Sequence, residues 1–210
     1  MTDMRPSPVG SELRTQFGGI DIYLFDQLLK GRFDQRRRVL DAGCGDGRNL
    51  VYFLRGGFSC FGVDSEPAAI ARLRQLASRL APDLPGDNFA VGQLDRLDHA
   101  DASMDAVVCS AVLHFADDEA HFGRMVEELW RVLSPNGLLF TRLASNIGLE
   151  SVIPSAGQRV RLPDGSERFV VSEAMLLQWT ERLGGSLADP IKTTNVQGLR
   201  CMTTWCVVKG

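Results

Sequence analysis

Three glycines at alternate positions, Gly43, Gly45 and Gly47, stand in the run VLDAGCGDGRN directly after a short apolar stretch. A turn without side chains lets backbone N–H groups approach a small molecule closely, and a helix opening near Asp46 would add its unpaired amides. The pattern predicts a nucleotide-like ligand at the end of a buried strand. Asp41, at that strand end, is available to a cationic ammonium, directly or through water. Asp64 follows Gly43 by twenty-one residues and closes a second apolar stretch. There a carboxylate can accept hydrogen bonds from both hydroxyls of a ribose. A helix cap shared with Ser65 is the other duty open to Asp64; beside the glycine turn, the ribose role leads.

Dinucleotide sites use GxGxxG, in which the third glycine lets helix pack on strand, but counted from Gly43 that place holds Arg48. Asp41 would also repel a phosphate. The spacing GxGxG suits an amino-acid tail lying over the turn.

Further along, SAVLHF places His114 just past the fourth strand, at the sheet end that carries the ligand, as a candidate general base. A structural hydrogen-bonding role is its alternative, and His99 and His121 have weaker claims. Phe115 could wall the reacting group. Arg159, Arg161 and Arg168 could receive an anionic substrate through forked hydrogen bonds, although a solvated hairpin face is the favoured account of exposed charges. Phe17, Tyr23 and Trp179 offer aromatic walls or a cation–π contact, and at helical spacing they read first as core.

The elements that must position these residues alternate short apolar strands with amphipathic helices. This pattern defines an α/β fold with a mostly parallel sheet covered on both faces. Strands are predicted at Arg38 to Ala42, Ser59 to Val63, Asn88 to Val91, Ala106 to Ser110 and Leu138 to Leu143. Ser65 and Pro67 open a helix with Ile70, Leu73, Leu76, Ala77 and Leu80 on its apolar stripe, ending before Pro82. Asp117 and Asp118 open another, with Phe122, Met125, Val126, Leu129, Trp130 and Leu133 in line, stopped by Pro135 and Gly137. Residues 145–171 read as a lid. Within it, QRVRLPDGSERFVV alternates about Pro163, Asp164 and Gly165 as a hairpin, and a helix follows over Ser172 to Leu183. The stretches Ile191 to Val196 and Cys201 to Val208 are joined too closely for a parallel crossover, so they form an antiparallel pair. Ile20 to Leu29 reads as a helix, preceded by a loose leader up to about Gly10.

Size and charge bound the rest. The chain has 210 residues, 44% of them apolar, enough for one well-buried domain. A net charge of −3 with a pI near 5.6 gives no footprint for nucleic acid or anionic lipid. No run of about eighteen apolar residues occurs and no signal-peptide pattern opens the chain, so a soluble, cytoplasmic protein is expected. Five cysteines without CxxC spacing imply neither disulfides nor zinc.

In order along the chain, VLDAGCGDGRN, FGVDSEPAAI, SMDAVVCSAVLHF and ELWRVLSPNGLLF resemble the class I S-adenosylmethionine-dependent methyltransferases, over roughly Arg36 to Leu143. The GCGDGRN wording is similar to the small-molecule branch that includes tellurite-resistance methyltransferases. The resemblance implies a Rossmann-like, doubly wound sheet of seven strands closing on an antiparallel pair. It forms a single domain over residues 1–210, with a helical cap over 1–35. It implies that Asp41, Gly43 and Gly45 surround the methionine part of S-adenosyl-L-methionine, that Asp64 holds the ribose, and that Gln93 and Leu94 flank the adenine. Ser65 and Ser110, at the strand ends, complete the expected cofactor contacts. Gln93 departs from the acid common at its place, yet its amide oxygen still accepts a bond from the exocyclic amine. Asn136 stands in the LSPNG turn where glycine is usual, a change Asn tolerates.

The activity implied is in-line methyl transfer to a small molecule, with S-adenosyl-L-homocysteine as product. Alignment supplies most of the rate, since the sulfonium charge is dispersed rather than created. No Asn/Asp-Pro-Pro-aromatic tetrapeptide and no Pro-Cys pair follows the fourth strand, which weakens nucleic-acid substrates. No metal site is expected, and Cys44 and Cys109 are not placed in the pocket by their spacing. Neither a membrane nor nucleic acid is an expected partner, and the chain is a monomer or homodimer. An S-adenosylmethionine-binding regulatory or scaffold protein without transferase activity is the alternative, and a nicotinamide oxidoreductase the third reading.

Overall fold

In the computed structural model, which describes residues 8–210, five parallel strands occur in chain order: β1 (Arg38–Ala42), β2 (Ser59–Asp64), β3 (Phe89–Val91), β4 (Met104–Ser110) and β5 (Leu133–Ser145). Their lateral order is β3-β2-β1-β4-β5. The chain therefore winds outward from β1 through β2 to β3, then returns to place β4 on the other flank of β1. This reversal opens a crevice beyond the carboxyl ends of β1 and β4, the general ligand position in open α/β sheets. Val39, Leu40 and Ala42 on β1 are completely buried, as a central strand covered on both faces requires.

The helices are α1 (Pro8–Phe17), α2 (Ile22–Leu29), α3 (Val51–Arg55), α4 (Pro67–Leu80), α5 (Glu119–Val132) and α6 (Glu173–Arg182). Pro67 opens α4, whose stripe of Ile70, Leu73 and Ala77 is buried. On α5 the Asp118 side chain accepts from the N–H of His121, and Phe122, Met125, Val126 and Leu129 face inward as their spacing predicts. One core layer joins α5 and α6 to the sheet through Phe122, Leu129, Trp179 and Trp205. The opposite layer joins α2, α3 and α4 to it through Leu24, Phe53, Leu73 and Phe140.

Past β5 come a hairpin, β6 (Gln158–Arg161) with β7 (Glu167–Val170), and then α6, β8 (Gly185–Leu187), β9 (Lys192–Val196) and β10 (Arg200–Lys209). The hairpin forms its own sheet, linked to the end of β5 by a bridge between Ser145 and Val171. β10 runs antiparallel to β5 from Cys201↔Ser145 to Val208↔Leu138, and β8 and β9 divide its outer edge between them. Seven lateral positions thus carry an eight-stranded sheet. Gln197 and Gly198, both at positive φ (51° and 70°), make the tight turn that pairs β9 with β10.

Several boundaries differ from the sequence reading. α2 starts at Ile22 rather than Ile20 because Asp21 is its N-cap, accepting from the N–H of Tyr23. The predicted loose leader ends sooner, since residues 8–10 already form the first turn of α1; residues 1–7 lie outside the described residues. β5 begins at Leu133, five residues early, and runs through Pro135 and a left-handed Asn136 (φ 61°). Asn88 sits in a 3-10 turn before β3. Among the described residues no helix is long and apolar enough to cross a membrane. All five cysteines are free and buried.

Candidate functional site

Between β1 and α3 the glycine turn lies against the end of β2, where the N–H groups of Gly43 and Cys44 both donate to the Val63 carbonyl, at 2.7 and 3.1 Å. Gly43 has φ +77°, and a Cβ there would stand 2.3 Å from Cγ2 of Val112, so the position excludes any side chain. Gly45, at φ +51°, faces open space within 4 Å of where its Cβ would be. Its N–H donates to Oδ2 of Asp64 at 2.8 Å, while Oδ1 of Asp64 accepts from the N–H of Glu66 at 2.9 Å. The α4 cap is Glu66, whose own side chain accepts from Ala68, so Asp64 is not the helix cap considered above.

Asp41 is 1% exposed, and neither carboxylate oxygen has a hydrogen-bond partner. Burial pushes its pKa up to about 7, against the opposing pull of the Arg48 charge. A buried acid with no donor is costly unless an ammonium or water completes it. The open face of Gly45, the orphaned oxygens of Asp41 and the outward edge of Asp64 together suit a ligand with a cationic amine and a diol.

A cavity of about 500 Å³ opens at this place, lined by Gly43, Asp64, Ser65, Gln93, Leu94 and Ser110. Asp41 and Gly45 are not part of the lining. The wall is completed by Arg48, Ala111, Val112, Phe115, His121 and Met125. Of these, Arg48 was visible as the residue in the place of a third glycine. Met125 sits on an apolar stripe and is indistinguishable there from core. Ala111 carries no sequence signal at all, although it adopts φ 65°, an uncommon conformation for alanine at the exit of β4.

Sequence reasoning also missed the polar latch beneath the cavity. Asp21, 3% exposed, accepts from Oγ of Ser110 and from Arg142, each at 3.0 Å, and its N–H donates to Asn49. Arg48 reaches Ser110 at 3.3 Å and the Gly19 carbonyl at 3.3 Å. The N-terminal segment is thus tied to the ends of β4 and β5 through one buried carboxylate.

His114, in the 3-10 turn Leu113–Phe115, does not line this cavity. It lines a second one of about 570 Å³, shared among Ala111, Phe115, Leu162, Arg168, Arg200 and Met202. Ala111 and Phe115 border both cavities. The imidazole is 5% exposed with Nδ1 unpartnered, and burial, helped by the Arg168 charge, pushes its pKa down to about 4. His121 is occupied with the Asp117 backbone and carboxylate, and His99 packs edge-on against Phe61.

Of the hairpin arginines, Arg168 reaches the second cavity, Arg159 donates to the Phe115 and Ala116 carbonyls, and Arg161 lines neither cavity. Phe17 stacks on Tyr52, Tyr23 lies under Arg142, and Trp179 packs against Phe122; none of the three borders a cavity described here. Cys44 and Cys109 are absent from both linings, and burial raises both thiol pKa values.

Residues 40–141 match the family model described as a methyltransferase domain. A protein from Mycolicibacterium smegmatis named as a probable S-adenosylmethionine-dependent methyltransferase is 32% identical over 111 residues, 53% of this chain and 39% of its own. The malonyl-[acyl-carrier protein] O-methyltransferase of Enterobacter lignolyticus is 29% identical over 153 residues, 70% of this chain and 55% of its own. The chain therefore spans about half the length of these curated relatives. In fold it is similar to the Burkholderia thailandensis 1,6-didemethyltoxoflavin-N1-methyltransferase, solved with 1,6-didemethyltoxoflavin and S-adenosylhomocysteine bound. That likeness has a TM-score of 0.68 at 20% identity, covering 96% of this chain and 82% of that one.

Residues 40–141 thus form a methyltransferase domain, and the fold and the site are similar to those of S-adenosylmethionine-dependent methyltransferases. The domain's cofactor is S-adenosyl-L-methionine.

Proposed function

We propose that the protein transfers the methyl group of S-adenosyl-L-methionine to a small organic molecule, releasing S-adenosyl-L-homocysteine. The observation that carries this reading is the junction of two cavities across Ala111 and Phe115, one floored by the glycine turn and Asp64, the other open to His114. When bound, the cofactor supplies a methyl group on a positively charged sulfur, which passes to the acceptor by in-line displacement.

In this proposal Asp41, buried and outside the cavity lining, attracts the ammonium directly or through water, and the Gly43 and Gly45 backbone lies under the methionine part. Asp64 takes the ribose hydroxyls, Ser65, Gln93 and Leu94 surround the adenine, and Ser110 holds the wall at the end of β4. His114, neutral throughout the physiological range, hydrogen-bonds the acceptor and receives its proton where the acceptor carries one. Residues 8–210 act as one domain, with residues 8–35 of the expected cap on the cofactor side and 145–171 forming the lid.

An organic acceptor is favoured over a metalloid one. The GCGDGRN wording is that of the branch with tellurite-resistance methyltransferases, but no cysteine lines either cavity to supply a thiolate. The groups named for the similar proteins, malonyl-[acyl-carrier protein] and 1,6-didemethyltoxoflavin, are organic as well. Incubating the purified protein with methyl-labelled cofactor and a panel of small metabolites tests the proposal. It predicts label in at least one acceptor and stoichiometric S-adenosylhomocysteine. Tight cofactor binding with no acceptor labelled would instead favour a regulatory or scaffold protein.

A further inference from the structure

We propose that the second cavity is an anion site, and that the acceptor is a small organic monoanion whose carboxylate docks on Arg168. The inference rests on the methyltransferase reading and names the substrate class for it.

Four charged or titratable side chains face the cavity, Arg168, Arg200, Asp164 and His114, and their charges are not equivalent. Arg200 is already matched: its Nη1 lies 3.0 Å from Oδ2 of Asp164, on the same wall. Asp164 is held ionised, at a pKa of about 2, by the Ser166 hydroxyl and N–H and by Arg200. His114 is neutral at physiological pH. Arg168, unlike Arg200, has no carboxylate partner among the described residues; its Nη1 donates to the Glu167 carbonyl, at 2.7 Å. The cavity thus carries one uncompensated positive charge.

That charge is positioned rather than loose. The guanidinium lies over the Phe115 ring, 4.9 Å from its centroid, and so is held against a residue that borders both cavities. A planar fork of donors beside an aromatic ring matches a carboxylate better than any neutral group. The strand pairing of β7 with β6, Val160↔Arg168, fixes the backbone beneath it.

A second observation points the same way. His114 is nine-tenths buried on the floor of this cavity with Nδ1 unpartnered, although buried ring nitrogens are normally bonded. A ligand that brings both an anion for Arg168 and a polar group for His114 satisfies both side chains at once. The apolar parts of the wall, Leu162, Met202 and Ala144, suit the carbon skeleton between them. At about 570 Å³ the space falls within the range of small-molecule sites.

The test is calorimetric titration of the protein saturated with S-adenosylhomocysteine. The probes are matched pairs: benzoate with benzamide, salicylate with salicylamide, and C4 to C10 alkanoates with their amides. At least one acid should bind about tenfold or more tighter than its amide. Arg168→Gln should erase that preference and Arg168→Lys should keep part of it, with S-adenosylhomocysteine affinity unchanged in both. If no acid outbinds its amide, or if Arg168→Gln keeps the preference, the anion site is refuted. Absence of S-adenosylhomocysteine binding in the first titration would instead overturn the methyltransferase reading itself.

Discussion

The Asp64 carboxylate is bonded to the backbone of Gly45 at 2.8 Å, which makes the end of β2 and the glycine turn one unit. Replacing Asp64 by Ala therefore removes both the ribose partner and a brace of the turn. Hydrogen bonds to a charged group contribute roughly 1.5 to 3 kcal/mol each, so cofactor affinity should fall by about tenfold to more than a hundredfold. Calorimetry with the cofactor checks this; unchanged affinity would remove the ribose assignment.

Gly43 and Gly45 should respond differently to alanine, although both have positive φ. At Gly43 the added methyl meets Val112 at 2.3 Å, whereas at Gly45 it meets nothing within 4 Å. Overpacking plus left-handed strain should cost Gly43→Ala about 2 to 4 kcal/mol of stability. Gly45→Ala should cost about 1 kcal/mol, from the conformation alone, while obstructing the ligand side of the turn. Denaturant unfolding and cofactor titration on the pair separate the effects. Equal stability losses would mean that the turn is not packed as described.

Asp41 gives a pH dependence of known sign. Its pKa is raised by burial from 3.8 to about 7 in the folded chain. Between those values the native state holds a proton that the unfolded state has lost, so stability falls as pH rises from about 4 to about 7, by roughly 1.4 kcal/mol per unit at most. The nearby charges of Arg48 and Asp64 push in opposite directions and do not change that sign. Denaturation of the ligand-free protein at pH 5, 6, 7 and 8 should show the decline, and Asp41→Asn should flatten it. Cofactor binding, which draws on the ionised carboxylate, should tighten across the same interval.

For His114, a pKa near 4 leaves the imidazole unprotonated above about pH 5. His114→Gln should lower turnover, by about a hundredfold if it acts as the base, and leave cofactor affinity unchanged. The wild-type rate should show no histidine limb between pH 6 and 7. A limb in that interval, or an unaltered rate in the variant, contradicts the role.

Much of this arrangement was legible in the chain because glycine, aspartate and periodicity are local signals. Gly43, Asp64 and the stripe of α5 each announce themselves within a dozen residues, and the short turn at Gly198 forces β9 and β10 to pair. What escaped notice depends on distance or brevity. α3 and β8 are five and three residues long, too short for a period to register. Asp21 reads as an ordinary polar residue until the fold brings it to Ser110 and Arg142, 89 and 121 positions away. The division into two cavities at Ala111 and Phe115 is likewise tertiary: His114 stands just past β4 as its position in the chain predicts, but the sequence could not assign it to the second cavity.

The central claim is that the glycine turn and Asp64 hold S-adenosylmethionine. Calorimetric titration of the purified chain with S-adenosylhomocysteine, run in parallel with NADH, tests it most directly. One saturable site for S-adenosylhomocysteine and no heat with NADH is the expected result. Binding of NADH, or silence with both S-adenosylhomocysteine and S-adenosylmethionine, would contradict it.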